Sequence, residues 1–192
     1  MKIVLVGCPD SGKSAFAQEL VKKHPHLNIL KASLPFENLA FGEAADYRTE
    51  MYIAARRAAR GEIELQNTIQ TNSLIDSVCY AGVRLRNMLN SKSVLPRTTQ
   101  NWALLLELFE RFMQDSFRYD LIFFLPGHEE ENTFYEDLEE AYSIYLELEG
   151  LAFTTVTDPL NFVEEAAKMV EEIYKKENDG ASKGSDPQQS DE

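Results

Sequence analysis

The residues best suited to chemistry lie near the start of the chain and have the spacing G-x-x-x-x-G-K-S. They are Gly7, Cys8, Pro9, Asp10, Ser11, Gly12, Lys13 and Ser14. The glycines let the backbone curl so that successive N–H groups point inward at phosphate oxygens. Lys13 is placed to span the β- and γ-phosphates of a nucleotide, and the Ser14 hydroxyl is a ligand for Mg²⁺. The pattern predicts that this loop binds a nucleoside triphosphate and that Lys13 also acts in catalysis.

The segments on either side of the loop are the ones that a phosphate-binding loop requires. Residues 2–6 form a short apolar run that ends at a glycine, which predicts a strand buried on both faces. Residues 13–23 carry apolar side chains at helical spacing and end in two lysines, which favour the last turn of a helix. A chance match of the motif is disfavoured because a strand is predicted directly before it and a helix directly after it.

The rest of the chain alternates between predicted strands and predicted helices. We expect strands at 27–30, 64–71, 121–125 and 152–156, and helices at 43–60, 74–88, 99–117, 136–148 and 159–176. Asp158 is expected to cap the last helix, with Pro159 at the first helical position. This alternation predicts an α/β fold in which helices cover both faces of a mainly parallel, five-stranded sheet, giving three layers.

Composition and charge limit the partners of the chain. Its 192 residues include 32 Asp and Glu against 19 Lys and Arg, so the net charge is −13. Coating of nucleic acid and binding to anionic membranes need clustered basic residues, so both are disfavoured, although a nucleotide within DNA stays open as a substrate. Residues 177–192 carry no large apolar side chain, and we expect them to be a disordered acidic tail behind a domain of residues 1–176.

The cysteines and the N-terminus indicate a cytoplasmic protein. The apolar run before Gly7 is too short for a secretory signal, and no segment has the roughly 18 apolar residues of a membrane span. Cys8 and Cys79 fit no zinc or disulfide pattern. Cys8 lies near a predicted helix N-terminus, which favours the thiolate. Redox control of nucleotide binding and an ordinary loop residue are the two interpretations of Cys8.

Two features expected of many nucleotide-binding proteins are missing. The chain has neither the N-K-x-D nor the D-x-x-G pattern of a GTPase. The third predicted strand ends in Thr71-Asn72-Ser73, so it has no carboxylate at its tip to help bind Mg²⁺. The sequence therefore leaves the source of the metal-binding carboxylate open.

Three segments of the chain together resemble the P-loop nucleoside and nucleotide kinases. They read GCPDSGKS, IQTNSLIDSVCYA and YDLIFFLP, and the resemblance spans about residues 1–175. The resemblance is closest to the group of P-loop NTPases that includes nicotinamide-riboside-kinase-like and phage deoxynucleotide-kinase-like proteins. It implies a sheet ordered 2-3-1-4-5 with ATP and Mg²⁺ at the carboxyl ends of the strands. It also implies transfer of the ATP γ-phosphate to a nucleoside, nucleotide or related small acceptor.

The middle segment departs from that family at the positions where it would have Asp-Arg. Thr71 and Asn72 stand there, while Ser73, Asp76 and Tyr80 match the resemblance. Asp76 is the nearest remaining carboxylate, and we predict it as a catalytic residue. The alternative is that Asp76 caps a helix or is a solvated acid.

A second departure concerns the arginines that such kinases close over ATP. Between residues 119 and 160 the chain has no Lys or Arg but eleven Asp or Glu, so the arginine must come from elsewhere. The candidates are Arg84, Arg86, Arg97 and a partner chain. We predict Arg97, in a loop between two helices, as catalytic, and Arg84 as substrate-binding. Arg48 and Glu50 are also predicted to bind substrate, with a solvated helix face as the alternative.

The departures leave a second kind of function open. A nucleotide-binding switch or regulatory ATPase that acts through a protein partner would need neither the Asp-Arg pair nor the arginines. The acidic tail also suits a protein partner. For the kinase, the sequence leaves open whether the protein is a monomer or a homodimer.

Overall fold

A computed structural model describes residues 1–30, 67–71, 73–91, 96–116, 119–127 and 133–182. Its five strands are β1 (Lys2–Val6), β2 (Asn28–Leu30), β3 (Thr68–Gln70), β4 (Leu121–Phe124) and β5 (Thr154–Thr155). The helices described are α1 (Lys13–Lys23), α2 (Leu74–Asn90), α3 (Pro96–Ser116), α4 (Thr133–Leu148) and α5 (Val163–Ser182).

The strands form one sheet in the order β2-β3-β1-β4-β5. Every described pair is parallel: Ile3 in β1 lies beside Ile69 of β3 on one side and Leu121 of β4 on the other. The α/β class and the predicted order are therefore confirmed. Strand β1 is central, so the loop that follows it opens at the carboxyl edge of the sheet, where ligands bind in open α/β sheets.

Alternate side chains of the central strands enter two separate cores. On one face Val4 and Phe124 pack against α2, α3 and α4, with Trp102 of α3 fully buried among them. On the other face Leu5 and Phe123 pack against α1 and α5. Because successive strand residues point to opposite faces, the continuous apolar runs seen in the sequence produce the three-layer arrangement.

Several predicted boundaries move by a few residues. Strand β5 contains only two residues, and α3 begins at Pro96, a residue type that is well tolerated in a first helical turn. Helix α5 continues to Ser182 instead of ending near residue 176. The division into a domain of residues 1–176 and a disordered tail stays a prediction. The predicted helix at 43–60 and residues 64–66 of the predicted third strand lie outside the described residues.

The start of α5 differs from the prediction in its capping. The Asp158 carboxylate accepts a hydrogen bond from the Asn161 backbone N–H at 3.2 Å, and the Asp158 carbonyl accepts one from Phe162 at 3.1 Å. Asp158 thus closes a separate turn, and α5 begins only at Val163. Within the described part of the chain, no helix combines the length and the apolar character that crossing a membrane requires.

Candidate nucleotide-binding site

The backbone of Gly7 requires glycine at the start of the loop. Its φ is +145°, and an added Cβ would lie 2.2 Å from the carbonyl oxygen of Leu125, which follows β4. Strand β4 is fixed there because the Leu125 N–H donates to the Val6 carbonyl at 2.9 Å. The chain therefore leaves β1 in a conformation that a side chain would block, and it passes directly beside the end of β4.

The second loop glycine turns the chain into α1. Gly12 has a φ of +85°, and its Cβ position lies 3.3 Å from the Pro159 ring. Asp10 is also left-handed, with a φ of +61°, a conformation in which aspartate is enriched among non-glycine residues. No side chain caps α1, so the partial positive charge of its N-terminus lies directly at the loop.

The Lys13 ammonium group lies inside the curl of the loop. Its Nζ donates to the Gly7 carbonyl at 2.6 Å, to the Cys8 carbonyl and to the Ser11 hydroxyl at 3.3 Å. Ser14 follows in the first turn of α1, with its side chain exposed. The arrangement places one cation, one exposed hydroxyl and a helix N-terminus around the same small space.

The Cys8 thiol is held under α4, away from solvent. Its Sγ contacts the Tyr135 carbonyl oxygen at 3.4 Å, and the residue is 1% exposed. Burial raises the pKa of Cys8 to about 12; the charge of Lys13 opposes this rise, and the charges of Glu139 and Asp76 add to it. The expectation of a thiolate is therefore wrong, because desolvation outweighs the favourable helix terminus and lysine.

The Asp76 carboxylate lies at the start of α2, just beyond the end of β3. Its Oδ2 accepts hydrogen bonds from the Ser73 backbone N–H at 2.5 Å and from the Ser73 hydroxyl at 2.8 Å. The bond from the backbone N–H belongs to the capping box of α2, with Ser73 as N-cap and Asp76 at the third helical position. Asp76 is thus observed as a helix-capping residue, and its predicted part in catalysis stays a prediction.

A tyrosine of α4 engages the other oxygen of Asp76. The Tyr142 hydroxyl donates to Asp76 Oδ1 at 2.8 Å, and both side chains are buried. Desolvation, followed by the charge of Asp76, raises the pKa of Tyr142 well above its usual value, so the phenol stays a donor. This hydrogen bond ties α4 to the turn that follows β3.

The two arginines of α2 both reach α4. The Arg84 guanidinium lies 5.2 Å from the ring centroid of Phe134 and 5.7 Å from that of Tyr80, within cation–π range. Arg86 forms ion pairs at 2.7 Å with Asp137 and at 3.2 Å with Glu140. Helix α4, in the acidic segment after β4, therefore forms ion pairs with Arg86, one of the candidate arginines.

Comparison with solved structures shows what this arrangement resembles. Deoxyadenosine kinase from M. mycoides, with dCMP and dCDP bound, superposes with a TM-score of 0.66 at 17% identity, covering 90% of this chain and all of the other. NadR in complex with NR gives 0.65 at 15% identity, over 89% of this chain and 50% of that protein. Thymidylate kinase from Candida albicans gives 0.59 at 14% identity, over 92% of each chain.

The chain has the fold of the P-loop nucleoside and nucleotide kinases. The resemblance seen in the sequence is confirmed at the level of fold. No protein-family model and no curated protein matches the chain.

Within the kinase fold, the remaining predicted residues fall in different places. Arg97 lies in the first turn of α3 and not in a loop, because that helix begins at Pro96. The Arg97 side chain, and all of Arg48 and Glu50, lie outside what the structure describes. Among the described residues, no group of three His, Cys, Asp or Glu side chains could hold a metal ion by itself.

No sequence pattern singles out Glu139 or Pro159 as a site residue, although both lie close to the loop. Glu139 Oε2 accepts a hydrogen bond from the Gly127 N–H, just beyond β4, at 2.8 Å. Pro159 packs on Gly12 of the loop. In the sequence Glu139 is one of many acids, and Pro159 is the predicted start of a helix. Only tertiary packing brings them to the phosphate-binding loop.

Proposed function

We propose that this protein is an ATP-dependent kinase that transfers the γ-phosphate to a nucleoside, a nucleotide or a related small acceptor. The observation that carries the proposal is the loop itself. Gly7 lacks room for a side chain, and the Lys13 ammonium group points into the curl. This is the geometry that phosphate binding requires at the carboxyl edge of a parallel sheet.

The loop residues have separate roles in the proposed reaction. The backbone N–H groups and the α1 terminus bind the phosphates, and Lys13 exchanges its carbonyl contacts for the β- and γ-phosphate oxygens. Ser14 is the hydroxyl ligand available to Mg²⁺, which would neutralise charge on those phosphates. The acceptor oxygen bonds to the γ-phosphorus as the bond to the bridging oxygen of ADP breaks, and the proton of the acceptor hydroxyl passes to solvent.

Solved structures with a similar fold support the choice of acceptor. The named neighbours are kinases of deoxyadenosine and thymidylate and a protein complexed with NR. We propose that the acceptor pocket lies beside the loop, with Arg84, Arg48 and Glu50 as its contacts. Arg97 and Asp76 are kept as proposed catalytic residues, although the capping contacts of Asp76 favour an indirect role for that side chain.

The kinase proposal is tested by ATP consumption with a panel of nucleosides, nucleotides and DNA. We expect at least one acceptor to raise turnover above the water background, and Lys13→Ala to abolish that increase. Lys22→Ala is the matched control, because it removes one positive charge from the same helix at an exposed position. If no acceptor raises turnover while ATP still binds, the kinase proposal fails.

A nucleotide-dependent switch is the second candidate, and one observation favours it. Helix α4 contacts the loop through Tyr135 and Cys8, and its acids hold Arg86. A change of the loop on nucleotide binding would thus reach α4 directly. Nucleotide-dependent hydrogen exchange in α4, without phosphate transfer to any acceptor, would favour the switch over the kinase.

A further inference from the structure

The end of β3 lacks the carboxylate that a nucleotide-bound Mg²⁺ requires. The residues at that end are Gln70, Thr71 and Ser73, all buried and none acidic. Asp76 lies nearby, but its carboxylate is buried and is held in place by hydrogen bonds from Ser73 and Tyr142. Mg²⁺ is usually bound through one or two carboxylates together with the phosphates of the nucleotide and several waters. The site therefore needs an acid from another element.

Helix α4 brings its own acid to the loop. The Tyr135 carbonyl contacts the Cys8 thiol at 3.4 Å, which places this part of α4 directly against the loop. Glu139 lies four residues later, so its side chain is on the same face of the helix, one turn further along. The contact between Cys8 and Tyr135 thus brings Glu139 near the phosphate-binding residues.

A backbone donor fixes the Glu139 carboxylate at the edge of the sheet. Oε2 accepts the Gly127 N–H at 2.8 Å, and Gly127 comes shortly after Leu125, whose carbonyl oxygen lies against Gly7. The side chain is only partly buried, so solvent and a ligand can reach it. A carboxylate has about four lone-pair sites, so one that accepts hydrogen bonds can still bind a metal ion.

The charges around Cys8 agree with this placement. After burial and the opposing effect of Lys13, the charge of Glu139 raises the pKa of Cys8 more than that of Asp76 does. The charge of Glu139 therefore acts on the Cys8 thiol inside the loop. Asp76 is the buried structural acid of the site, whereas Glu139 is the accessible one.

We propose that Glu139 supplies the carboxylate of the magnesium site, in place of the acid that the end of β3 lacks. The donor set fits Mg²⁺, since Ser14 and Glu139 both offer oxygen ligands and the nucleotide would supply the rest. The inference rests on the proposed binding of ATP at the loop. If Glu139 only repelled the phosphates, Glu139→Gln would bind ATP more tightly both with and without magnesium. That outcome distinguishes repulsion from metal binding.

The test is the affinity for ATP, measured by calorimetry with magnesium present and with magnesium removed by EDTA. In the wild type we expect magnesium to strengthen binding. In Glu139→Gln we expect the gain from magnesium to fall by about 10-fold, while the magnesium-free affinity stays close to the wild-type value. Gln keeps a carbonyl oxygen for the Gly127 N–H, and a thermal melt checks that the variant is folded.

A control variant on the same helix separates a specific effect from a general loss of charge. Glu147→Gln removes the same charge two turns further along α4, at an exposed position, and should leave the magnesium dependence unchanged. The direct readout is Mn²⁺ binding in the presence of ADP, followed by the paramagnetic resonance of free Mn²⁺. The Mn²⁺ affinity should drop about 10-fold in Glu139→Gln only.

The possible results distinguish this inference from the function on which it rests. Unchanged magnesium dependence in Glu139→Gln, with intact ATP binding, overturns the role of Glu139 alone. Tighter ATP binding both with and without magnesium overturns it too and shows repulsion instead. If the wild-type protein binds no ATP in either condition, the proposed function fails and this inference fails with it.

Discussion

The carbonyl oxygen of Leu125 lies 2.2 Å from the position that a Cβ atom would take at Gly7. This oxygen belongs to the backbone just after β4, where the Leu125 N–H donates to the Val6 carbonyl. It cannot move without breaking the pairing of β1 with β4. The start of the loop and the end of β4 are thus one packed unit. Any side chain at residue 7 must displace the loop.

Gly7→Ala is therefore expected to damage both stability and nucleotide binding. The clash and the φ of +145° should lower the free energy of unfolding by about 1–3 kcal/mol or more. Urea unfolding measures this loss, and ATP affinity measured on the same sample should fall at least 10-fold. Gly82→Ala is the control, because nothing lies within 4 Å of its Cβ position in α2. It should stabilise the protein by about 0.5–1 kcal/mol.

The hydrogen bond between Tyr142 and Asp76 makes a second prediction about stability. Tyr142→Phe leaves a buried carboxylate oxygen without its donor, which should cost about 1.5–3 kcal/mol. A double-mutant cycle with Asp76→Ala, which removes the acceptor, isolates the pair and should give a coupling of about 0.5–3 kcal/mol. Additive losses in the two single variants would show that the bond contributes nothing specific.

The fold could be predicted from the sequence because its signals are local. The runs at 2–6 and 121–125 are apolar on both faces, and the loop motif lies between a strand and a helix. Asp158 shows where local reasoning stops: it caps as its residue type suggests, but the element that it caps is a turn and α5 begins later.

The candidate site could be predicted only where it is continuous in the chain. The loop residues follow from one motif, but the contact between Cys8 and Tyr135 joins positions 127 residues apart. It depends on the rotation of α4 over the sheet, which no local pattern sets. For the same reason Glu139 could not be told from its acidic neighbours, and the burial that raises the pKa of Cys8 was missed.

Stability at mildly acidic pH should depend on His26. Burial, followed by the charges of His24 and the N-terminus, lowers the pKa of His26 below 6.5, and its ring lies 4.5 Å from that of Tyr174 in α5. Because the folded-state pKa is below the unfolded value, the contribution is full above about pH 6.5 and is lost as the pH falls through the folded-state pKa.

The variant His26→Phe keeps a ring beside Tyr174 and removes the titration. The free energy of unfolding of the wild type should fall more than that of His26→Phe between about pH 7.5 and pH 5.5. Chemical denaturation at several pH values provides the comparison, and carboxylate effects cancel because both proteins share them. Parallel curves would contradict the assigned pKa shift.

The last prediction concerns the reactivity of Cys8. With a pKa of about 12 and the thiol buried under Tyr135, the thiolate fraction at neutral pH should be on the order of 1,000-fold below that of an ordinary cysteine. When the native protein is alkylated, mass spectrometry should find Cys8 unmodified long after a small thiol compound in the same solution has reacted. In denaturant both Cys8 and Cys79 should react at the ordinary rate. Rapid labelling of Cys8 in the folded protein would mean that α4 leaves the loop readily, and it would remove the basis for placing Glu139 beside the phosphates.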